Sequence, residues 1–185
     1  VLQRMIEAVR ISGDTDLTPM AAVAGTLSDM TADWLFARGV AKVIVNNGGD
    51  IAIRLSGAER AVIGIAPALG AMPSHVLEIG AADGIGGVTT SGSGGRSFTK
   101  GIATAATVLA KTASIADACA TSIGNATFSA HPAIRLVRAE MIDPLTDLVG
   151  HLVVQDVGEL PQDTVQAALE NGWRCAKKYW DRGII

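Results

Sequence analysis

The densest chemistry in the sequence lies between Thr89 and Asn125. Asp117 and Thr121 stand four residues apart in a helix-forming run, so they project from one face. A carboxylate and a hydroxyl one turn apart suit a hard cation such as magnesium, with carbonyls or waters completing its shell. The same carboxylate has a purely structural use. Ser114-Ile115-Ala116-Asp117 reads as a capping-box start, which would put Asp117 in the first turn as a cap. Upstream, Ser91-Gly92-Ser93-Gly94-Gly95-Arg96-Ser97 gathers hydroxyls, glycine amides and one guanidinium, a composition suited to phosphate or carboxylate groups. It lacks the Gly-Lys-Ser/Thr ending of a P-loop, the GxGxxG spacing and the GxSxG elbow. The plain alternative is a flexible linker. Asn46-Asn47-Gly48-Gly49-Asp50 offers free backbone N–H groups and a carboxylate, although Asn-Gly-Gly-Asp between apolar runs is first of all a hairpin signal.

These groups need a scaffold, and the periodicities supply one. Helical spacing over Val1–Arg10 ends at Ser12-Gly13-Asp14. Thr18-Pro19 opens a helix to about Arg38, with Met20, Val23, Leu27, Met30 and Trp34 as its expected core stripe and Gly39 as its stop. The small run Ala21-Ala22-Val23-Ala24-Gly25 permits close approach of another backbone or a ligand. Strands are expected over Lys42–Val45, Ile51–Leu55, Ala61–Ala66, Val76–Ile79, Ile85–Thr90, within Gly101–Lys111, around Arg135–Ala139 and over His151–Val157. The helix carrying Asp117 should run from Ser114 to about Ile123 and stop at Gly124-Asn125. Leu160-Pro161 introduces a last helix, whose expected buried stripe is Val165, Ala168, Leu169, Gly172, Trp173, Ala176 and Trp180. The reading is a single α+β domain over 1–185, with antiparallel sheets packed against helices. Because Val1 already lies in a helical pattern, the chain is read as lacking its N-terminal portion.

Composition narrows the function classes. The sequence is 49% hydrophobic and 18% charged, enough to bury a core and inconsistent with disorder. A net charge of −3 without a basic run argues against nucleic acid, and 4% aromatics argues against base-stacking platforms. No apolar run reaches membrane-spanning length, so no membrane association is expected. Cys119 and Cys175 have no CxxC partners and read as reduced, buried thiols of a cytoplasmic protein. Small-residue contact surfaces and an exposed strand fit a homo-oligomer.

Taken in order, three stretches resemble the ApbE superfamily, whose typical members are FAD:protein FMN transferases, and are most similar to a shorter ApbE-like branch. Pro19–Gly25 matches the family's small-residue helix start. Val45–Ile51 matches its asparagine–glycine–glycine–aspartate turn. Thr90-Ser91-Gly92, followed by Ala116-Asp117-Ala118-Cys119-Ala120-Thr121, matches its Thr-Ser-Gly loop and Ala-Asp-Ala-x-x-Thr helix. The resemblance implies magnesium held by Asp117 and Thr121 beside the pyrophosphate of FAD, or beside FMN. It implies a flavin nucleotide site lined by Asn46, Asn47, Gly48, Gly49, Asp50, Thr90, Ser91, Gly92 and Ser97. Three departures stand out. Ala24 replaces the family's lysine. The His-x-Ile-Asp-Pro segment before the metal helix is missing, its place taken by Gly94–Gly101. Ile142-Asp143-Pro144 looks similar but follows the helix. Arg96 and Lys100 then become the positive groups expected, with Asp117, to do the chemistry. The implied function is magnesium-assisted flavin or nucleotidyl transfer on a phosphorylated ligand. The alternative is a non-catalytic ligand-binding or assembly domain in a redox, reductase-type system.

Overall fold

The computed structural model describes residues 1–68 and 70–185. Helix α1 (Leu2–Ser12) is followed by a 3-10 turn (Pro19–Ala22) and helix α2 (Val23–Phe36). Strands β1 (Lys42–Asn47), β2 (Asp50–Leu55), β3 (Arg60–Ile65), β4 (His75–Gly80), β5 (Gly87–Ser91) and β6 (Ala106–Ala110) come next. Helix α3 (Ala113–Ala126), strands β7 (Ile134–Arg138) and β8 (Leu152–Val157), and helix α4 (Gln162–Asp181) complete the chain.

The expected α+β class holds, and every strand pair is antiparallel. The main sheet has the order β1-β2-β5-β6; β3–β4 and β7–β8 are separate ribbons. Gly48 and Gly49 close the β1–β2 hairpin at φ 70° and 114°, so the two-residue turn uses the positive φ that glycine allows. Alternation then sorts the side chains. On one face Ile51, Ile53 and Val88 pack against Ala61, Ile63 and Ile79 of the β3–β4 ribbon. On the other, Val43 and Ala52 meet Ala32 and Ala113, while Val108 and Ala110 meet Ala116, Cys119 and Ala120 of α3. The result is ribbon, sheet and helices in three layers, with α3 at the centre of the helical layer. Among the described residues no helix is long and apolar enough to cross a membrane.

Of two expected core stripes, that of the second helix is overturned and that of the last helix holds only at its small residues. Met20, Leu27, Met30 and Trp34 are exposed, and α2 instead buries Gly25, Thr26, Ser28, Asp29 and Ala32. The polar groups on that face are mostly satisfied: Ser28 donates to the Asp50 carbonyl at 2.8 Å, and Asp29 has the partners described below. On α4, Val165, Leu169, Trp173 and Trp180 are exposed, whereas Ala168, Gly172 and Tyr179 are buried. A Cβ at Gly172 would lie 2.9 Å from Thr127 Cγ2. Helix α4 thus approaches α3 through Ala168 and Gly172, with Tyr179 packed into the same contact and Leu169, Trp173 and Trp180 left on the flanks.

Three boundaries also differ. Only Ala106–Ala110 of the 101–111 stretch is strand. The long second helix is broken at Ala22 into the 3-10 turn and α2. Helix α3 begins two residues earlier than Ser114-based capping implies: Thr112 is its N-cap, accepting from the Ile115 N–H, and the helix continues to Ala126. Of the thiols, Cys119 is fully buried and Cys175 half-buried, and both are free.

Candidate functional site

With α3 starting at Ala113, Asp117 is its fifth residue and lies beyond the first turn, so it does not cap its own helix. It caps another. The Ala22 break leaves the first N–H groups of α2 without a side-chain cap, and the Gly25 N–H donates to Asp117 Oδ2 at 2.9 Å. The reverse also occurs. Asp29, on α2 and fully buried, accepts the N–H groups of Ala113 at 3.1 Å and Ser114 at 2.9 Å, the first two residues of α3. It also receives Arg54 Nη2 at 2.9 Å, while Arg54 Nε reaches Asp33 at 2.8 Å. Each of these two helices therefore has its start capped by a carboxylate of the other. The contact requires glycine: a Cβ at Gly25 would fall 2.3 Å from the Ala113 carbonyl oxygen.

Asp117 also faces a cavity of about 640 Å³ between α2, α3, the β1–β2 turn and the 143–148 segment. Of the residues singled out from sequence, Asn47, Gly48, Asp50, Thr90, Arg96, Ser97, Lys100, Asp117 and Thr121 line it. The Thr121 hydroxyl lies 3.5 Å from Ser91 Oγ, which places Ser91 just behind the wall. Asn46 and Gly49 line a second cleft of about 500 Å³ on the other side of the hairpin turn, and Asn46 Oδ1 accepts the Gly49 N–H at 2.9 Å. Gly92 lines neither cleft. Its φ of 143° and the Thr104 carbonyl, 2.6 Å from where a Cβ would sit, give it a role in folding the loop.

The electrostatics of the cavity centre on two carboxylates. Burial pushes Asp50 up to about 6. Burial, then the nearby Asp50 charge, raises Asp117 well above the usual carboxylate range, against the opposing effect of the Gly25 N–H. Two carboxylates that oppose each other's ionisation across one cavity favour a cation between them. Among the described residues no three His, Cys, Asp or Glu side chains are arranged to hold a metal. A cation held here would have to keep most of its waters, and Asp117, Asp50 and the Thr121 hydroxyl are the donors the cavity could give it.

The positive groups differ in availability. Lys100 is tied by an ion pair to Asp16 and lies 3.0 Å from His151 Nδ1. Arg96 is exposed at the cavity edge and, among the described residues, makes no ion pair. Sequence reasoning missed Asp16, Asp147 and Leu145, which also line the cavity. The signal available was Ile142-Asp143-Pro144: set aside as out of order, it belongs to a segment that returns to the cavity, with Asp143 in the lining and Asp147 accepting from the Thr18 hydroxyl.

The chain is similar to several known proteins. A UPF0280 protein of Archaeoglobus fulgidus is 37% identical over 125 residues, covering 68% of this chain and 49% of that protein. A UPF0280 protein of Methanosarcina acetivorans is 35% identical over 156 residues, 84% of this chain and 59% of its own length. One from Methanococcus vannielii is 41% identical over 118 residues, 62% of this chain and 47% of that protein. The chain thus spans about half the length of these relatives. Residues 1–185 match the family described as AbpE bacteria, and the chain belongs to that ApbE-like family.

Proposed function

We propose that the Asp117 cavity binds a phosphorylated ligand, with a flavin nucleotide as the leading candidate, together with a magnesium ion. The observation that carries this is convergence. Three sequence stretches far apart in the chain, Asn47–Asp50, Thr90–Lys100 and Asp117–Thr121, meet around one cavity holding two mutually opposed carboxylates and a guanidinium. In this reading Asp117, Asp50 and Thr121 hold the ion. When bound, it neutralises phosphate charge and makes phosphorus more electrophilic. Arg96 pairs with phosphate oxygens from the cavity edge. Gly48 lets the ligand approach the backbone of the turn, and Lys100, held by Asp16, fixes the loop that carries Arg96 and Ser97.

Asp117→Asn is the informative variant, because an amide oxygen can still accept the Gly25 N–H while the charge is lost. Magnesium-dependent FAD binding and cleavage to FMN and AMP are expected in the wild type and lost in the variant, with folding retained. A wild type whose interaction with FAD ignores magnesium defeats the proposal.

A second reading, an assembly domain beside a redox partner, draws on a different observation. Leu27, Met30 and Trp34 on α2, and Leu169, Trp173 and Trp180 on α4, are exposed apolar side chains that a partner could cover. Protein that neither binds nor cleaves FAD but co-purifies with a flavin- or iron–sulfur-bearing protein supports this reading.

A further inference from the structure

A third cleft, of about 540 Å³, adjoins the Asp117 cavity at Lys100 and lies between α3, α4 and the 14–16 loop. Asp16, Lys100 and Asn125 line both spaces, and the Lys100–Asp16 ion pair is the partition. Among the described residues, no aromatic side chain and no aliphatic one larger than alanine lines this third cleft. A ligand here gains little from apolar burial and must be held by polar contacts.

The charges on its walls are unequally committed. Asp16 is held by Lys100. Asp14 Oδ2 accepts the Ser122 hydroxyl at 2.5 Å, and Asp14 Oδ1 accepts the Asp16 N–H at 3.0 Å. Ser122 in turn accepts from the Tyr179 hydroxyl at 2.7 Å, and both of these residues are buried. Asp14 therefore ends a fixed chain of hydroxyls. Arg182 ties the same loop to α4 by donating to the Ile11 and Ser12 carbonyls at 3.0 and 3.2 Å.

The α4 wall is different. Arg174 and Lys178 stand one turn apart and exposed, and among the described residues neither makes an ion pair. Arg174 donates to Asn171 of its own helix. Glu170, spaced to pair with Arg174, accepts from Gln166 at 3.0 Å instead. Like charges one turn apart repel each other. Exposed helix cations usually just face water, but these two line a concave space where carboxylates and amides are already fixed. Two carboxylates face three cations there, and the cations on α4 are the groups without partners.

We propose that this cleft binds a small polyhydroxy anion, a sugar phosphate or a sugar acid. Its anionic group pairs with Lys178 and with the guanidinium fork of Arg174. Its hydroxyls donate to Asp14, because a carboxylate has about four lone-pair sites and two of them are taken. Asn125 Oδ1 already accepts the Lys100 N–H at 2.9 Å, which leaves its amide hydrogens to the ligand. Asp14 supplies the selectivity: its charge disfavours a bare anion and rewards one that brings hydroxyl donors. The cleft takes this ligand whatever the Asp117 cavity binds.

The test is calorimetric titration, without divalent cations, with glucose 6-phosphate, gluconate, inorganic phosphate and acetate. The proteins are the wild type, Arg174→Gln with Lys178→Gln, Arg96→Gln and Asp14→Asn. In the wild type, glucose 6-phosphate should bind at least about tenfold more tightly than phosphate, or gluconate than acetate. Whichever margin appears identifies the anionic group. The α4 double variant should lose that binding, Arg96→Gln should keep it, and Asp14→Asn should erase the margin. No binding of either sugar, affinity equal to the bare anion, or a margin kept in Asp14→Asn overturns the proposal. So does binding kept in the double variant. Loss in Arg96→Gln also overturns it, puts the anion in the Asp117 cavity and leaves the phosphate reading of that cavity standing. Should Asp14→Asn not fold, the thiols decide. Cys175 lines the cleft, whereas Cys119 is fully buried. Alkylation of Cys175 by iodoacetamide should slow severalfold in the wild type with the tighter sugar but not with the bare anion, and an equal rate with both overturns the proposal.

Discussion

At the scale of single residues, two carboxylates carry opposite burdens. Asp29 is fully buried but fully partnered, with two backbone N–H groups and a guanidinium. Removing a partnered buried charge strands the rest, so Asp29→Ala should cost about 3–5 kcal/mol in denaturant unfolding, with Arg54 left facing an empty site. Asp50 is the reverse case, since its side chain has no hydrogen-bond partner among the described residues. Its folded-state value of about 6 stands above the ordinary 3.8, so ionising it is harder in the fold than in the unfolded chain. That penalty is absent below about pH 4, grows between the two values and is complete above about 6. Without divalent cations, Asp50→Asn should therefore add about 1–2 kcal/mol of stability at pH 7 and nothing near pH 4, read from unfolding curves at both. Legibility differs in the same way. Asp117 and Asp50 stood out because each sits in a distinctive local pattern. Asp29 did not, because its partners are backbone groups 84 and 85 residues away, which no local pattern displays.

At the scale of elements, the hairpin was legible because a two-residue turn with positive φ leaves a glycine signature in the sequence itself. The orientation of α2 and α4 was not. Periodicity identifies which residues share a face, but the inference that the apolar face is buried assumes a helix packing on an oily surface. Helix α3 presents alanines and its own N-terminus, so what suits α2 there is a face of glycine, hydroxyls and a carboxylate. For α4 the partner surface rewards close approach over bulk. The same fact predicts a sharp steric limit. Gly25→Ala places a methyl 2.3 Å from the Ala113 carbonyl and must part the two helices, for a loss of about 1–3 kcal/mol in thermal or denaturant unfolding. Because the parted helices also stretch the Gly25–Asp117 bond, the variant should lose affinity for pyrophosphate and magnesium at temperatures where it remains folded.

At the scale of the whole molecule, three layers place the site where sheet edge, helix starts and returning loop meet, and the layers themselves follow from ordinary strand alternation. Among the described residues, the outer surfaces of α2 and α4 are two of the places that leave large apolar side chains uncovered. Self-association, expected from the sequence, has these two faces as its candidate surfaces. In sedimentation velocity Trp34→Ser and Trp173→Ser tell them apart, since only the variant on the associating face should shift the protein to monomer; a wild type that sediments as a monomer removes the expectation. One last consequence belongs to time rather than to architecture. The reciprocal caps join positions 84 to 92 residues apart, and neither α2 nor α3 has its start fully satisfied until the other is in place. Between them the chain must lay down the β1–β2–β5–β6 sheet on which both helices rest. The two helix starts are therefore completed together, and the candidate site, whose central carboxylate is one of those caps, takes its final form only when α2 and α3 have met.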